Sequence, residues 1–152
     1  MKDSYTLEIA APPAKVFALI NDSDSQKQWI PNLVEDERLT ITDEVVGSTF
    51  RQVYLENGRR SEMEGEVVVY LPDEYLACEI RGKAFDLVVD YTLEDLGGRT
   101  KLTQNVEILF KSVPLKLITS RYSANSAPAQ PCTVRATLCS LVMLTLSLAE
   151  RL

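Results

Sequence analysis

Alternation of apolar and polar residues dominates positions 4–110 of this chain and predicts an antiparallel sheet. At the start, Tyr5, Leu7 and Ile9 alternate with polar or small residues, which is the period of a half-buried strand. Similar patterns recur along the chain, and turn signals such as Asn57-Gly58 separate them. We therefore predict seven consecutive strands.

A short helical stretch separates the first strand from the others. Pro12-Pro13 stops the strand and favours a helix, because proline is tolerated in the first helical turn, where its missing N–H has no partner. Apolar residues at helical spacing follow from Val16 to Ile20. The polar run at 21–24 ends this helix and caps a second short helix that reaches Trp29.

In the later strands, alternation assigns one face to the core. Met63, Gly65, Val67, Val69 and Leu71 share the inward face of one strand in this interpretation. The acidic residues of these strands fall on the opposite, solvated face: Glu62, Glu64, Glu66, Asp86 and Asp90.

The C-terminal part of the chain has a different character. Residues 119–133 contain Pro128 and Pro131 and predict a loop or a broken helix, whereas residues 135–151 predict a long helix. No charge lies between Arg135 and Glu150, and the apolar surface of the helix is wider than one stripe. A lipid-like ligand, a second subunit in a homodimer, or the neighbouring loop could cover it.

Composition excludes several classes of function. A net charge of −6, from 16 basic and 22 acidic residues, repels phosphate backbones and argues against a nucleic-acid partner. The chain has no histidine, so a Ser-His-Asp relay, a Cys-His relay and a histidine metal site are excluded. We predict no catalytic residues, no metal and no cofactor.

Length and segment composition indicate one domain over residues 1–152. The start of the chain has no apolar signal core, and no apolar stretch reaches the roughly 20 residues that span a bilayer. We therefore expect a cytoplasmic protein without an integral membrane segment. The odd number of cysteines, Cys78, Cys132 and Cys139, is typical of reduced and buried thiols in that compartment.

Several short motifs carry a resemblance to a known superfamily. They are I-x-A-P-x-x-x-V-F from Ile9, W-x-P from Trp29, G-x-x-F-R from Gly47, V-V-x-Y-x-P from Val67, and Y-x-L-E-x-x-G-G-x-T from Tyr91. Together they resemble the SRPBCC superfamily, which includes START-like, polyketide cyclase/dehydrase and plant pathogenesis-related allergen proteins. The resemblance implies an α+β helix-grip fold. In this fold a seven-stranded antiparallel sheet curves around a long C-terminal helix, with two short helices between strands 1 and 2 and a cavity for apolar ligands.

The candidate ligand-binding residues are those that alternation and helical spacing turn towards such a cavity. They are Trp29, Phe50, Gln52, Tyr54, Met63, Phe85, Val89, Tyr91, Gln104, Leu138, Leu141, Val142 and Thr145. The two amides are the most discriminating, because a buried amide without partners costs about 1–3 kcal/mol. A ligand carbonyl or hydroxyl, or trapped water, could satisfy them, and the two tyrosines could donate to the same group.

The leading hypothesis is a non-catalytic module that binds or transports a lipid, quinone or polyketide-like molecule. One alternative is a cyclase or dehydratase in which tyrosine and glutamine polarise a carbonyl and a carboxylate acts as base. That reaction needs an inward-facing carboxylate, and strand alternation offers none. A third hypothesis is an adaptor that binds another protein through its apolar C-terminal helix.

Overall fold

The computed structural model describes residues 1–111, which form seven strands and two helices. Their order is β1 (Lys2–Ile9), α1 (Pro13–Asn21), α2 (Ser23–Trp29), β2 (Leu33–Thr40), β3 (Thr49–Glu56), β4 (Arg59–Leu71), β5 (Tyr75–Arg81), β6 (Phe85–Asp95) and β7 (Thr100–Phe110). The predicted α+β class, seven strands and two short helices are thus confirmed. The predicted C-terminal helix, with Leu138, Leu141, Val142 and Thr145, lies outside the described residues, as does the 119–133 segment.

The strands form one antiparallel sheet in the order β1-β7-β6-β5-β4-β3-β2. Strands β2 to β7 are neighbours in sequence order, so that part of the sheet is a meander. The first strand crosses to the far edge and pairs with the last, from Lys2 opposite Glu107 to Ile9 opposite Thr100. This crossing places α1 and α2, which follow β1, over one face of the sheet, where they contact β6 and β2.

Local interactions fix the two helices against each other. Pro13 occupies the first turn of α1. The carboxylate of Asp22 accepts hydrogen bonds from the backbone N–H and the hydroxyl of Ser25, at 2.8 and 2.7 Å, and so caps α2. At the end of α2, the buried Trp29 donates its indole N–H to the carbonyl of Leu19 at 3.3 Å. The start of α2 is therefore capped, and its end is hydrogen-bonded to α1.

Buried apolar residues form two clusters on the covered face of the sheet. The cluster under the helices includes Ile9, Val16, Phe17, Ile20, Trp29, Val67, Leu76 and Leu102. The cluster on the strands includes Met63, Ile80, Leu87, Val89, Val106 and Ile108. Phe50, Cys78 and Tyr91 pack against both clusters. The space between helices and strands is thus bounded by apolar side chains on two sides.

A β-bulge in β4 corrects one prediction from alternation. The pairing with β5 shifts register between Val67 and Val69. As a bulge adds one residue to its strand, the residues that follow change faces. Val69 and Leu71, predicted to face the core, are therefore 38% and 50% exposed. Tyr70 turns inward instead, and its ring packs edge-to-face on Phe17 with centroids 5.4 Å apart.

Candidate functional site

A cavity of about 140 Å³ lies between the two helices and the inward face of the sheet. Its wall is formed by side chains of α1, α2 and the five strands β2 to β6, together with the segment that joins α2 to β2. A single water molecule needs only about 10–15 Å³ of such space. The cavity therefore has room for a small organic molecule.

Seven of the predicted site residues lie on the cavity wall. They are Phe50, Gln52 and Tyr54 of β3, Met63 of β4, and Phe85, Val89 and Tyr91 of β6. Their positions follow from strand alternation, since every second residue of β3 and β6 faces inward. The strand faces predicted for this group are correct, and contact of these residues with a ligand stays a prediction.

Two other predicted site residues do not line the wall in the described part of the chain. Trp29 is 5% exposed and packs in the cluster under the helices. Gln104 of β7 is 1% exposed and donates a hydrogen bond to the hydroxyl oxygen of Tyr91 at 3.2 Å. The structure thus places Trp29 in the packed core. Gln104 does not itself line the described wall of the cavity but is hydrogen-bonded to Tyr91, which does.

Apart from Gln52 and Tyr54, the sequence prediction missed the polar groups of the cavity wall. Besides further apolar residues of β4 to β6, the wall includes the polar residues Asn21, Ser23, Gln26, Asp36, Arg38 and Ser61. All of these except Ser61 come from α1, α2 and β2, where the sequence shows no apolar strand alternation to set a face. The cavity is consequently amphipathic, with an apolar floor on β4 to β6 and a polar side at α2 and β2.

A relay of hydrogen bonds crosses the polar side. The Tyr54 hydroxyl donates to Oε1 of Gln52 at 2.8 Å, Nε2 of Gln52 donates to Oε1 of Gln26 at 2.9 Å, and Nε2 of Gln26 donates to the carbonyl of Ile20 at 2.7 Å. The Ile20 carbonyl can only accept a hydrogen bond, so Gln26 must direct its Nε2 at this carbonyl and its Oε1 at Gln52. Gln52 must then direct its Nε2 at Gln26 and its Oε1 at the Tyr54 hydroxyl. Protein groups therefore satisfy the Gln52 amide, and the hydroxyl hydrogen of Tyr54 is directed at Oε1 of Gln52.

Asp36 is the carboxylate that the sequence prediction lacked. It lies on the cavity wall, and its Oδ1 is buried without a hydrogen-bond partner among the described residues. Burial raises the pKa of this carboxyl, against the opposing effect of hydrogen bonds from Ser23 and Gln52 and of the Arg38 and Lys27 charges. The site thus holds an incompletely satisfied acceptor.

A register shift in β2 explains why this residue escaped the sequence prediction. The pairing with β3 is irregular between Leu33 and Glu35. Alternation counted from the buried Leu33 would turn Glu35 and Glu37 inward, yet these two pair with arginines and Asp36 takes the wall position. A run of four charged residues gives no sign of this shift.

Burial also affects two other ionisable groups on the wall. It raises the pKa of the Tyr91 hydroxyl well above its ordinary value, so that this group stays protonated. The hydroxyl oxygen accepts from Gln104, which leaves its own hydrogen for another acceptor. Burial likewise raises the pKa of the Cys78 thiol to about 12.

Cys78 is therefore expected to be unreactive in the folded protein. The thiolate is the nucleophile, and with a pKa of about 12 its population at pH 8 is roughly one in ten thousand. We expect iodoacetamide to alkylate Cys78 at least about 100-fold more slowly in the folded chain than in guanidinium, as followed by peptide mass spectrometry. Equal rates in the two conditions would contradict the buried position of this thiol.

Two further properties hold for residues 1–111. They contain no group of three or more Cys, Asp or Glu side chains placed to bind a metal ion. Neither of their helices is long and apolar enough to cross a membrane.

Comparison with known sequences identifies one matching family. A sequence model described as "Polyketide cyclase / dehydrase and lipid transport" matches residues 3–123. A search of curated proteins gives no match. The family match runs from the second residue of β1 to beyond the end of β7.

Solved structures of similar fold extend over nearly the whole chain. A protein from Thermus thermophilus has a TM-score of 0.75 and 13% identity, covering 99% of this chain and 96% of that one. A START superfamily protein from Mycobacterium smegmatis has a TM-score of 0.74 and 18% identity, covering 99% and 95%. The Zhui aromatase/cyclase from Streptomyces sp. R1128 has a TM-score of 0.72 and 14% identity, covering 99% and 92%. At these identities the similarity establishes the fold alone.

Proposed function

The chain belongs to the polyketide cyclase/dehydrase and lipid transport family, and on this premise we propose that it binds a small hydrophobic or amphipathic molecule in its cavity. The observation that carries the proposal is the cavity of about 140 Å³ with its apolar floor. Transfer of apolar surface from water to such a floor contributes about 25 cal/mol per Å². A lipid, a quinone or a polyketide-like molecule has surface of this kind.

The polar side of the cavity supports an amphipathic ligand over a purely apolar one. The relay from Tyr54 through Gln52 and Gln26 gives that side a fixed arrangement of donors and acceptors. A few placed polar groups in a mostly apolar pocket orient a ligand and give specificity. We therefore place the ligand's apolar body on β4 to β6 and its polar end at α2 and β2.

Native mass spectrometry of gently purified protein, followed by solvent extraction, tests this function. We expect one apolar or amphipathic molecule per chain, which the solvent removes. The same spectrum reports whether the chain forms a homodimer. A protein that carries no such molecule, and that also fails to take up 1-anilinonaphthalene-8-sulfonate, would contradict the proposal.

A matched pair of variants makes the test specific for the cavity. Leu87→Trp adds an indole to the cavity wall, whereas Leu109→Trp adds the same group at a position that is 48% exposed. We expect the first variant to lose the co-purified molecule and the second to retain it. Equal retention would place the molecule elsewhere on the protein.

A second candidate function, that of a cyclase or dehydratase, is favoured by Asp36. This residue supplies a carboxylate on the cavity wall, and the protonated Tyr91 hydroxyl can donate to a substrate carbonyl. A linear 3,5,7-triketo ester is a suitable probe, because aldol ring closure between C2 and C7 with loss of water is visible by mass spectrometry. Product formation that disappears in Asp36→Asn and Tyr91→Phe, with probe binding retained, would establish the enzyme; binding without product would favour the carrier.

A further inference from the structure

We infer that the cavity selects ligands whose polar end carries a hydroxyl group, and that Asp36 is the residue that accepts the hydroxyl hydrogen. The inference rests on the proposed function, since it requires a ligand in the cavity. It goes further by naming the head group and the residue that recognises it.

Several hydrogen-bond donors on the polar side of the cavity are directed at other protein groups. Tyr54, Gln52 and Gln26 direct hydrogens at one another and finally at the Ile20 carbonyl. Arg38, also on the wall, donates to the carbonyl of Asn21. At least one hydrogen of each of these groups is therefore engaged within the protein, and a ligand that offers only acceptors has to compete with those bonds on this side.

The polar side of the cavity also holds a strong acceptor, the carboxylate of Asp36. Oδ1 of Asp36 is buried and has no hydrogen-bond partner among the described residues. A buried acceptor without a partner is costly, and hydrogen bonds to charged groups are stronger than those between neutral groups. A donor on the ligand, placed at this oxygen, completes the site.

A hydroxyl group suits the surroundings of Asp36 better than other head groups do. A carboxylate would bring a second negative charge to Asp36, and an ether or ester has no hydrogen to give. Arg38 and Lys27 both lie near enough to Asp36 to lower its pKa, so its charge already faces two cations. An ammonium head group would be repelled by those cations. A neutral hydroxyl or phenol can donate a hydrogen to Oδ1 of Asp36 without adding a charge.

The test compares 2-naphthol with 2-methoxynaphthalene, which share the same rings and differ in the hydroxyl hydrogen. Calorimetry or fluorescence titration gives both dissociation constants for the unaltered chain. We expect 2-naphthol to bind at least about 10-fold more tightly, because its hydroxyl can form a charge-assisted hydrogen bond with Asp36 and the methoxy group cannot. Asp36→Asn should weaken this preference, and Asp36→Leu should abolish it.

The chain offers a matched control next to Asp36. Glu37 is the following residue of β2, and its carboxylate lies on the exposed side, 2.8 Å from the guanidinium of Arg51. Glu37→Gln removes the same charge from the same strand without touching the cavity wall. We expect this variant to keep the preference for 2-naphthol. Retained binding of 2-methoxynaphthalene by the Asp36 variants would show that they are folded.

The outcomes separate this inference from the proposed function. Equal affinity of the unaltered chain for the two probes, or a preference that survives in Asp36→Leu, would overturn the role of Asp36 and leave cavity binding in place. Failure of both probes to bind the unaltered chain would count against the proposed function itself. A preference lost in Asp36→Leu and kept in Glu37→Gln would establish the inference.

Discussion

Val89→Arg is expected to abolish ligand uptake and to unfold a large fraction of the protein, whereas Val88→Arg is expected to be tolerated. Val89 is 5% exposed and lies on the cavity wall within the apolar strand cluster. A guanidinium there would be a buried charge without a partner, which costs several kcal/mol. This cost is comparable with the whole stability of a typical domain, about 5–15 kcal/mol.

The neighbouring position provides the control because its side chain lies on the other face of β6. Val88 is half-buried, and its cross-strand neighbours are Glu79 of β5 and Glu107 of β7. A guanidinium at this position would meet two carboxylates near solvent. Circular dichroism during heating, together with uptake of 1-anilinonaphthalene-8-sulfonate, measures both variants. Equal behaviour of the two would refute the assignment of faces in β6.

The inward face of β6 could be predicted from the sequence because nothing interrupts its alternation. Its pairing with β7 runs without a shift from Phe85 opposite Phe110 to Asp95 opposite Thr100. Along such a strand, a single apolar residue fixes the face of all the others. The inward orientation of Val89 and Tyr91 follows from this regularity.

The polar side of the site could not be predicted in this way. Asp36 and Tyr70 both follow register shifts, one in β2 and one in β4, and each shift reverses the faces beyond it. No residue type in either strand marks the shift, since Gly and Pro are absent from both positions. Gln26 reaches the cavity from a helix whose packing depends on β2, so its role follows only from the tertiary structure.

Trp29 shows a different limit of sequence reasoning. The sequence predicts Trp29 among the residues that line the cavity, and its side chain is 5% exposed. Burial alone does not separate a residue that packs in the core from one that lines a cavity, because both require an apolar surface. Trp29 lies in the cluster under the helices and not on the described cavity wall, and its contacts, such as the hydrogen bond to Leu19 of α1, depend on the tertiary structure.

Gly65→Ala is expected to destabilise the protein by about 1–3 kcal/mol and to weaken ligand uptake. A methyl group on Gly65 of β4 would lie 2.1 Å from Cζ of the Phe50 ring, far below an ordinary contact distance. Phe50 sits opposite Gly65 in the pairing of β3 with β4, and its ring lines the cavity. The ring must therefore move away from β4, into space that a ligand would occupy.

A double-mutant cycle with Phe50→Leu tests whether this close approach causes the loss. Leucine ends short of the ring atoms that meet the new methyl group, so Gly65→Ala should cost less in the Phe50→Leu background than in the unaltered chain. Denaturant unfolding of the four proteins gives the coupling energy between the two positions, which for residues in contact is about 0.5–3 kcal/mol. An unchanged cost in both backgrounds would mean that Gly65 is required for the backbone of β4 itself. A reduced cost would show that glycine is needed at this position because the Phe50 ring lies directly against β4. Gly65 would then help to set the shape of the cavity wall through the position of that ring.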